Sequence, residues 1–186
     1  MYSMVVIIAS CLILLQACDS GQTNPSSLWW KDSQLYAFCF DTHDIKSRTL
    51  RQQAALLHEL GYAGAGHLWL DNVPERIATL NEAGLQLFQI YLRVNIAEDS
   101  QEPYDPRLNE VLPLLKGRKT QIALIINGMA PSDVTGDSKA VQLIREIATA
   151  AGFYDIQIVL YPHAAHWLER VEDALRLVEK VQLNNV

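Results

Sequence analysis

The sequence predicts an α/β fold: a partial (β/α)8 barrel of the TIM type, with about five β/α units, parallel strands inside and helices outside. Two observations predict it. From Leu35 onward, short apolar runs alternate with segments of helical period, the pattern of strands joined by helical crossovers. Within the strands, one parity is greasy and the other turns polar toward the C-terminal end. In the third, Phe88, Ile90, Leu92, Val94 and Ile96 alternate with Gln89, Tyr91, Arg93 and Asn95. A doubly wound sheet is covered by helices on both faces and reads apolar on both. A barrel turns one face to its helices and the other to an axis whose mouth binds ligands.

The elements follow in order. Leu35–Phe40 is the first strand. Thr49 and Gln52 form a capping-box pattern ahead of Leu50, Ala54, Leu57 and Leu60, and Gly61 is a stop. Ala65–Leu70 is the second strand, and Pro74 opens a helix running to Gly84. Leu87–Ile96 is the third strand. Asp105-Pro106 reads as N-cap and first helical position of a helix ending near Gly117. Gln121–Asn127 is the fourth strand. Asp137 caps a helix with Ala140, Ile144, Ile147 and Ala151 on one face, Ile156–Tyr161 is the fifth strand, and the last helix carries Val171, Leu175, Val178 and Gln182.

The chain has 186 residues, and a complete eight-unit barrel typically takes about 250. The sixth to eighth strands are therefore expected to be missing. Two open sheet edges would favour self-association.

Residues 1–18 read as a signal peptide or membrane anchor. Met4–Ala17 is almost wholly apolar, and Leu15-Gln16-Ala17-Cys18 resembles a bacterial lipobox, which makes Cys18 a lipidation site. Residues 19–34 form a polar tether, and residues 35–186 the barrel domain. The expectation is an exported lipoprotein anchored on the periplasmic side. Met1-Tyr2-Ser3 carries no Lys or Arg, so an uncleaved anchor and a misplaced start remain open. The net charge of −6, without a Lys/Arg run, argues against a nucleic-acid partner. The three cysteines show no metal spacing and make no disulfide scaffold.

Strand ends supply the candidate site residues. His163 follows the fifth strand, where an imidazole can bind a ligand or shuttle a proton, or be satisfied locally. His166 lies three residues on. Asp41, His43 and Asp44 follow the first strand, where an Asp can equally cap the next turn. His67, Trp69 and Asp71 share a parity expected to line the mouth. Arg93 and Asn95 point the same way; Arg93 can hold a carboxylate or phosphate, or be a charge-paired structural residue. Asn127 ends an apolar strand. Cys39 is expected in the core.

Four stretches give the sequence a resemblance to a known superfamily. They are Phe40-Asp41-Thr42-His43-Asp44, Leu60-Gly61-Tyr62-Ala63-Gly64, Ala83-Gly84-Leu85 leading into Leu87–Tyr91, and Leu160-Tyr161-Pro162-His163. In this order they resemble the front half of the xylose isomerase-like TIM barrels, which include sugar phosphate isomerases and epimerases. The resemblance implies proton transfer beside a carbonyl on a sugar or polyol. It assigns His163 and His43 to catalysis, and Asp41, His67, Trp69, Arg93, Asn95 and Asn127 to substrate binding. It also implies a divalent metal with His163 among its ligands, most other ligand positions lying on strands this chain does not contain. Here the fifth strand ends in His163 where many members carry Glu; relatives resembling inosose dehydratase have Tyr-x-His. Without the later strands, the expectation is an inactive protein, or one active only when another chain completes the barrel. Two other readings stand beside it: a membrane-tethered sugar-binding module without catalysis, and an endonuclease relative, which the acidic balance disfavours.

Overall fold

A computed structural model describes residues 34–38, 40 and 45–186. Asp41, His43 and Asp44, Cys39, and the leader with Cys18 lie outside the described residues.

Five parallel strands form one sheet in the order of the sequence. They are β1 (Tyr36–Ala37), β2 (Gly64–Leu68), β3 (Gln86–Asn95), β4 (Gln121–Asn127) and β5 (Ile158–Leu160). The helices between and after them are α1 (Leu50–Glu59), α2 (Val73–Glu82), α3 (Leu108–Leu115), α4 (Asp137–Gly152) and α5 (Val171–Val181).

The helices cover one face of the sheet. Ile90, Leu92, Val94 and Ile96 of β3, with Ile122, Leu124 and Ile126 of β4, are buried against Leu57, Leu80, Leu112 and Ile144 from four different helices. The opposite face has a smaller core without helical residues: Tyr91, Ala123 and Ile125, flanked by Leu68, Trp69, Val159 and Tyr161. Phe38, Tyr91 and Tyr161 meet there with ring centres 5.5–5.7 Å apart. One helix-covered face and one aromatic inner face is barrel winding, not double winding.

Local signals set most boundaries. Gln52 donates its backbone N–H to Thr49 Oγ1 at 3.3 Å, and Thr49 donates its own to Gln52 Oε1 at 3.0 Å, completing the capping box of α1. Pro74 sits in the first turn of α2.

Three expectations need correction. The third helix starts at Leu108, not at Asp105; Asp105 instead accepts from the backbone N–H of Arg107 and holds the turn before it. Asp137 does not cap α4. A 3-10 turn, Val134–Gly136, precedes that helix, and the Asp137 carboxylate is drawn instead to Arg176 and Lys180 of α5. On α5, Val171, Leu175 and Val178 are exposed, and the face turned inward is Asp173, Leu177 and Val181.

The residues after α5 return to the sheet. Ile158 donates its backbone N–H to the Asn185 carbonyl at 2.7 Å, and the Asn185 side chain donates to Ala148 O at 2.8 Å. The edge of β5 thus carries its first ladder bond from the chain's own tail. Among the described residues, no helix is long and apolar enough to cross a membrane.

Candidate binding site at the strand ends

Parallel pairing aligns the strand ends. Arg93 lies opposite Ile125 and Asn95 opposite Asn127, so Asn95 and Asn127 close the C-terminal rim side by side. Asn95 Oδ1 accepts from Ala97 N at 3.0 Å. Gly128 makes that possible. Its φ is +106°, and a Cβ there would sit 2.1 Å from Asn95 Oδ1. A cleft of about 610 Å³ opens at this rim, lined by Arg93, Asn95 and Asn127 and by Glu102, Tyr104, Asp105 and Arg107 from the β3–α3 loop. A neighbouring recess of about 240 Å³ runs between Trp69, Asp71, Arg93 and Arg107. A larger open groove on the outer side of α4 contains none of the strand-end residues.

Trp69 follows β2 with φ of 65°, left-handed backbone that a bulky side chain rarely adopts. Its ring lies beneath the Arg93 guanidinium, whose carbon is 3.7 Å from the ring centre. Arg107 is held from two sides, by Asp71 at 2.9 Å and by both oxygens of Asp105. These hydrogen bonds lower the Asp105 carboxyl below its usual range and raise the guanidinium of Arg107 above its own. Tyr104 donates its hydroxyl to Glu146 of α4. Burial, then this bond and the Glu146 charge, push the phenol up to about 12.

Beyond β5, His163 and His166 lie edge to face, ring centres 4.6 Å apart. His163 Nδ1–H donates to Ala164 O at 2.9 Å, leaving Nε2 with its lone pair. His166 is pulled below its usual value, first by burial, then by the charges of His163 and Arg93. Its imidazole is therefore neutral at pH 7, and the influence of Arg93 ties the pair electrically to the rim.

His67 is not at the mouth. It pairs with Ile90 on the helix-covered face and is buried. Its Nδ1 accepts from Arg76 Nε at 3.2 Å, its Nε2–H donates to Asp71 O at 2.7 Å, and Arg76 reaches Gln53 of α1 at 2.5 Å. His67 was placed by counting back from Trp69, and the left-handed turn at Trp69 breaks that alternation. Of the expected residues, the structure brings Trp69, Arg93, Asn95, Asn127 and His163 to the strand-end side. The sequence reading did not single out Tyr104 and Arg107, because they belong to an irregular loop.

No family model and no curated protein matches the sequence. Solved structures do. A probable 3-DHS dehydratase, AsbF, involved in petrobactin synthesis in Bacillus anthracis, superposes with a TM-score of 0.64 at 15% identity over 82% of this chain and 60% of that one. A D-psicose 3-epimerase from Clostridium cellulolyticum H10, solved with D-tagatose, gives 0.58 at 16% over 82% and 61%. A xylose isomerase-like TIM barrel protein from Mycobacterium smegmatis in complex with magnesium gives 0.58 at 16% over 82% and 62%. The fold is that of the xylose isomerase-like TIM barrels. The chain spans about 60% of the length of these xylose isomerase-like structures. An AP endonuclease of family 2 from Brucella melitensis shares the fold, so fold alone does not separate sugar chemistry from phosphodiester cleavage.

A resident divalent metal does not fit the residues described. Among them, no three His, Cys, Asp or Glu side chains cluster closely enough to hold an ion. The rim carboxylates Asp71 and Asp105 are committed to Arg107.

Proposed function

We propose that this chain is a sugar isomerase/epimerase-like protein whose strand-end cleft binds a sugar or sugar-like small molecule and moves a proton beside its carbonyl. One observation carries the reading: inward-facing strand ends bring Arg93, Asn95 and Asn127 to one rim, with a neutral imidazole within reach of the field of Arg93. Arg93, Asn95 and Asn127 would hold substrate oxygens by donated hydrogen bonds. His166 would accept the carbon-bound proton, since a neutral imidazole has a free lone pair at pH 7. His163, with Nδ1–H committed to Ala164 O, would return it through Nε2. The solved epimerase with D-tagatose supports a sugar ligand, as a property of a protein with this fold.

The test is solvent deuterium exchange. The full chain is incubated with D-tagatose or D-fructose in D2O, with and without magnesium, and carbon-bound deuterium is followed by NMR. Exchange that His166→Ala abolishes supports the reading. Binding without exchange converts the chain to a sugar-binding module without catalysis. Binding of neither sugar sinks both.

The leader reading is also a proposal: export and membrane anchoring through lipid on Cys18, resting on the Met4–Ala17 run and the Leu15–Cys18 pattern. Metabolic labelling with a fatty acid, lost in Cys18→Ser, would support it. Self-association rests on the sheet's edges, and sedimentation at rising concentration tests it.

A further inference from the structure

We infer that the strand-end cleft selects an anionic sugar derivative, carrying a carboxylate or phosphate, with Arg93 as the anchor of the anionic group. This rests on the sugar-binding reading above and adds the substrate's charge.

Two arginines border the cleft, and the fold treats them differently. Arg107 is matched by Asp71 and Asp105. Arg93 is exposed and makes no ion pair among the described residues; its described partner is the face of Trp69. Cation–π stacking occupies the flat of a guanidinium and leaves its N–H groups pointing outward in the plane. Those N–H groups match the paired oxygens of a carboxylate or phosphate. The unmatched cation is not a product of general basicity, because the chain carries −6 overall.

The neighbouring amide agrees. Asn95 Oδ1 is already spent on Ala97 N, so the group it can offer is its Nδ2–H2 donor. Asn127 stands opposite in register. The wall beside Arg93 is thus rich in donors, which suits an oxyanion better than a neutral hydroxyl that must also donate. The lining carboxylate not tied to Arg107 is Glu102, exposed on the loop.

Calorimetric titration of the full chain tests the inference with D-fructose, D-fructose 6-phosphate, D-gluconate and inorganic phosphate, at low and high salt. Charge-assisted hydrogen bonds predict that at least one charged sugar binds about tenfold or more tighter than D-fructose. The advantage shrinks in high salt, and Arg93→Gln lowers charged-sugar affinity to that of D-fructose. Arg93→Lys, which keeps the charge, retains part of the preference. The stronger of the phosphate and carboxylate sugars identifies the anion. Equal binding of D-fructose and both charged sugars overturns the inference, as does a preference that survives Arg93→Gln. Deuterium exchange on neutral sugars with no charge preference leaves the proton-transfer reading standing and removes this one.

Discussion

The Arg93 guanidinium stacks on Trp69 at 3.7 Å while the backbone beneath that ring is left-handed, with φ of 65°. An exposed contact of this kind is worth only about 0.5–1 kcal/mol to the fold. Arg93→Met should therefore shift stability in urea by no more than about 1 kcal/mol. A larger loss would mean that Arg93 is chiefly structural.

His166 gives a second handle. Burial is the largest cause of its low pKa, followed by His163 and then Arg93. In an NMR titration its imidazole should gain its proton below pH 6.5, the ordinary value. Arg93→Gln should move that titration up by less than His163→Ala does. An unshifted midpoint in wild type would remove the neutral base from the proposed reaction.

The charge cluster between α4 and α5 sets an acid limit. Burial opposes ionisation of Asp137, but hydrogen bonds from Arg176 and Lys180 outweigh it and leave the carboxyl below its usual 3.8. For Asp173, burial is likewise outweighed by bonds from Ser132 and Arg176. A carboxyl whose folded pKa is depressed adds stability above its unfolded value, and that stability is lost as pH falls through the folded one. Thermal stability should therefore drop below about pH 4, and Asp137→Asn should flatten that drop. The same change should cost about 3 kcal/mol at pH 7, since it leaves Arg176 short of a partner at a mostly buried site.

Two leucines two residues apart on α5 should behave oppositely. Leu177 is fully buried, so Leu177→Ala should cost about 2–5 kcal/mol. Leu175 is 59% exposed, so Leu175→Glu should change folding stability by no more than about 0.5 kcal/mol. If both cost the same in chemical denaturation, the assigned face of α5 is wrong.

His67→Leu should cost about 1–3 kcal/mol, because it strips an acceptor from Arg76 in a buried network. Sugar affinity should not change. A loss of affinity at constant stability would return His67 to the mouth.

The strands were legible where one physical rule acted alone. In β3 the period of two ran unbroken from Phe88 to Ile96, so the inward set, with Tyr91, Arg93 and Asn95, could be read directly. Thr49 and Gln52 announced α1, because a capping box is a local interaction. Reading failed where a tertiary partner overrode a local preference. Asp137 looked like a cap until Arg176 and Lys180 approached from 39 and 43 residues away. The apolar stripe of α5 promised a buried face, yet the opposite side went inward, because Asp173 is satisfied there by Ser132, Arg176 and the N–H of Arg170. At the site, the rim residues of β3 and β4 were readable from parity. The loop bringing Tyr104 and Arg107 beside them has no period to read.

Because spatial neighbours in the sheet are also neighbours in sequence, every new strand finds its docking edge already made by the one synthesised before it. A growing chain can add β/α units one after another without waiting for distant segments. Assembly can then proceed from the N-terminal end as a growth process, with the most recently added strand always the reactive front.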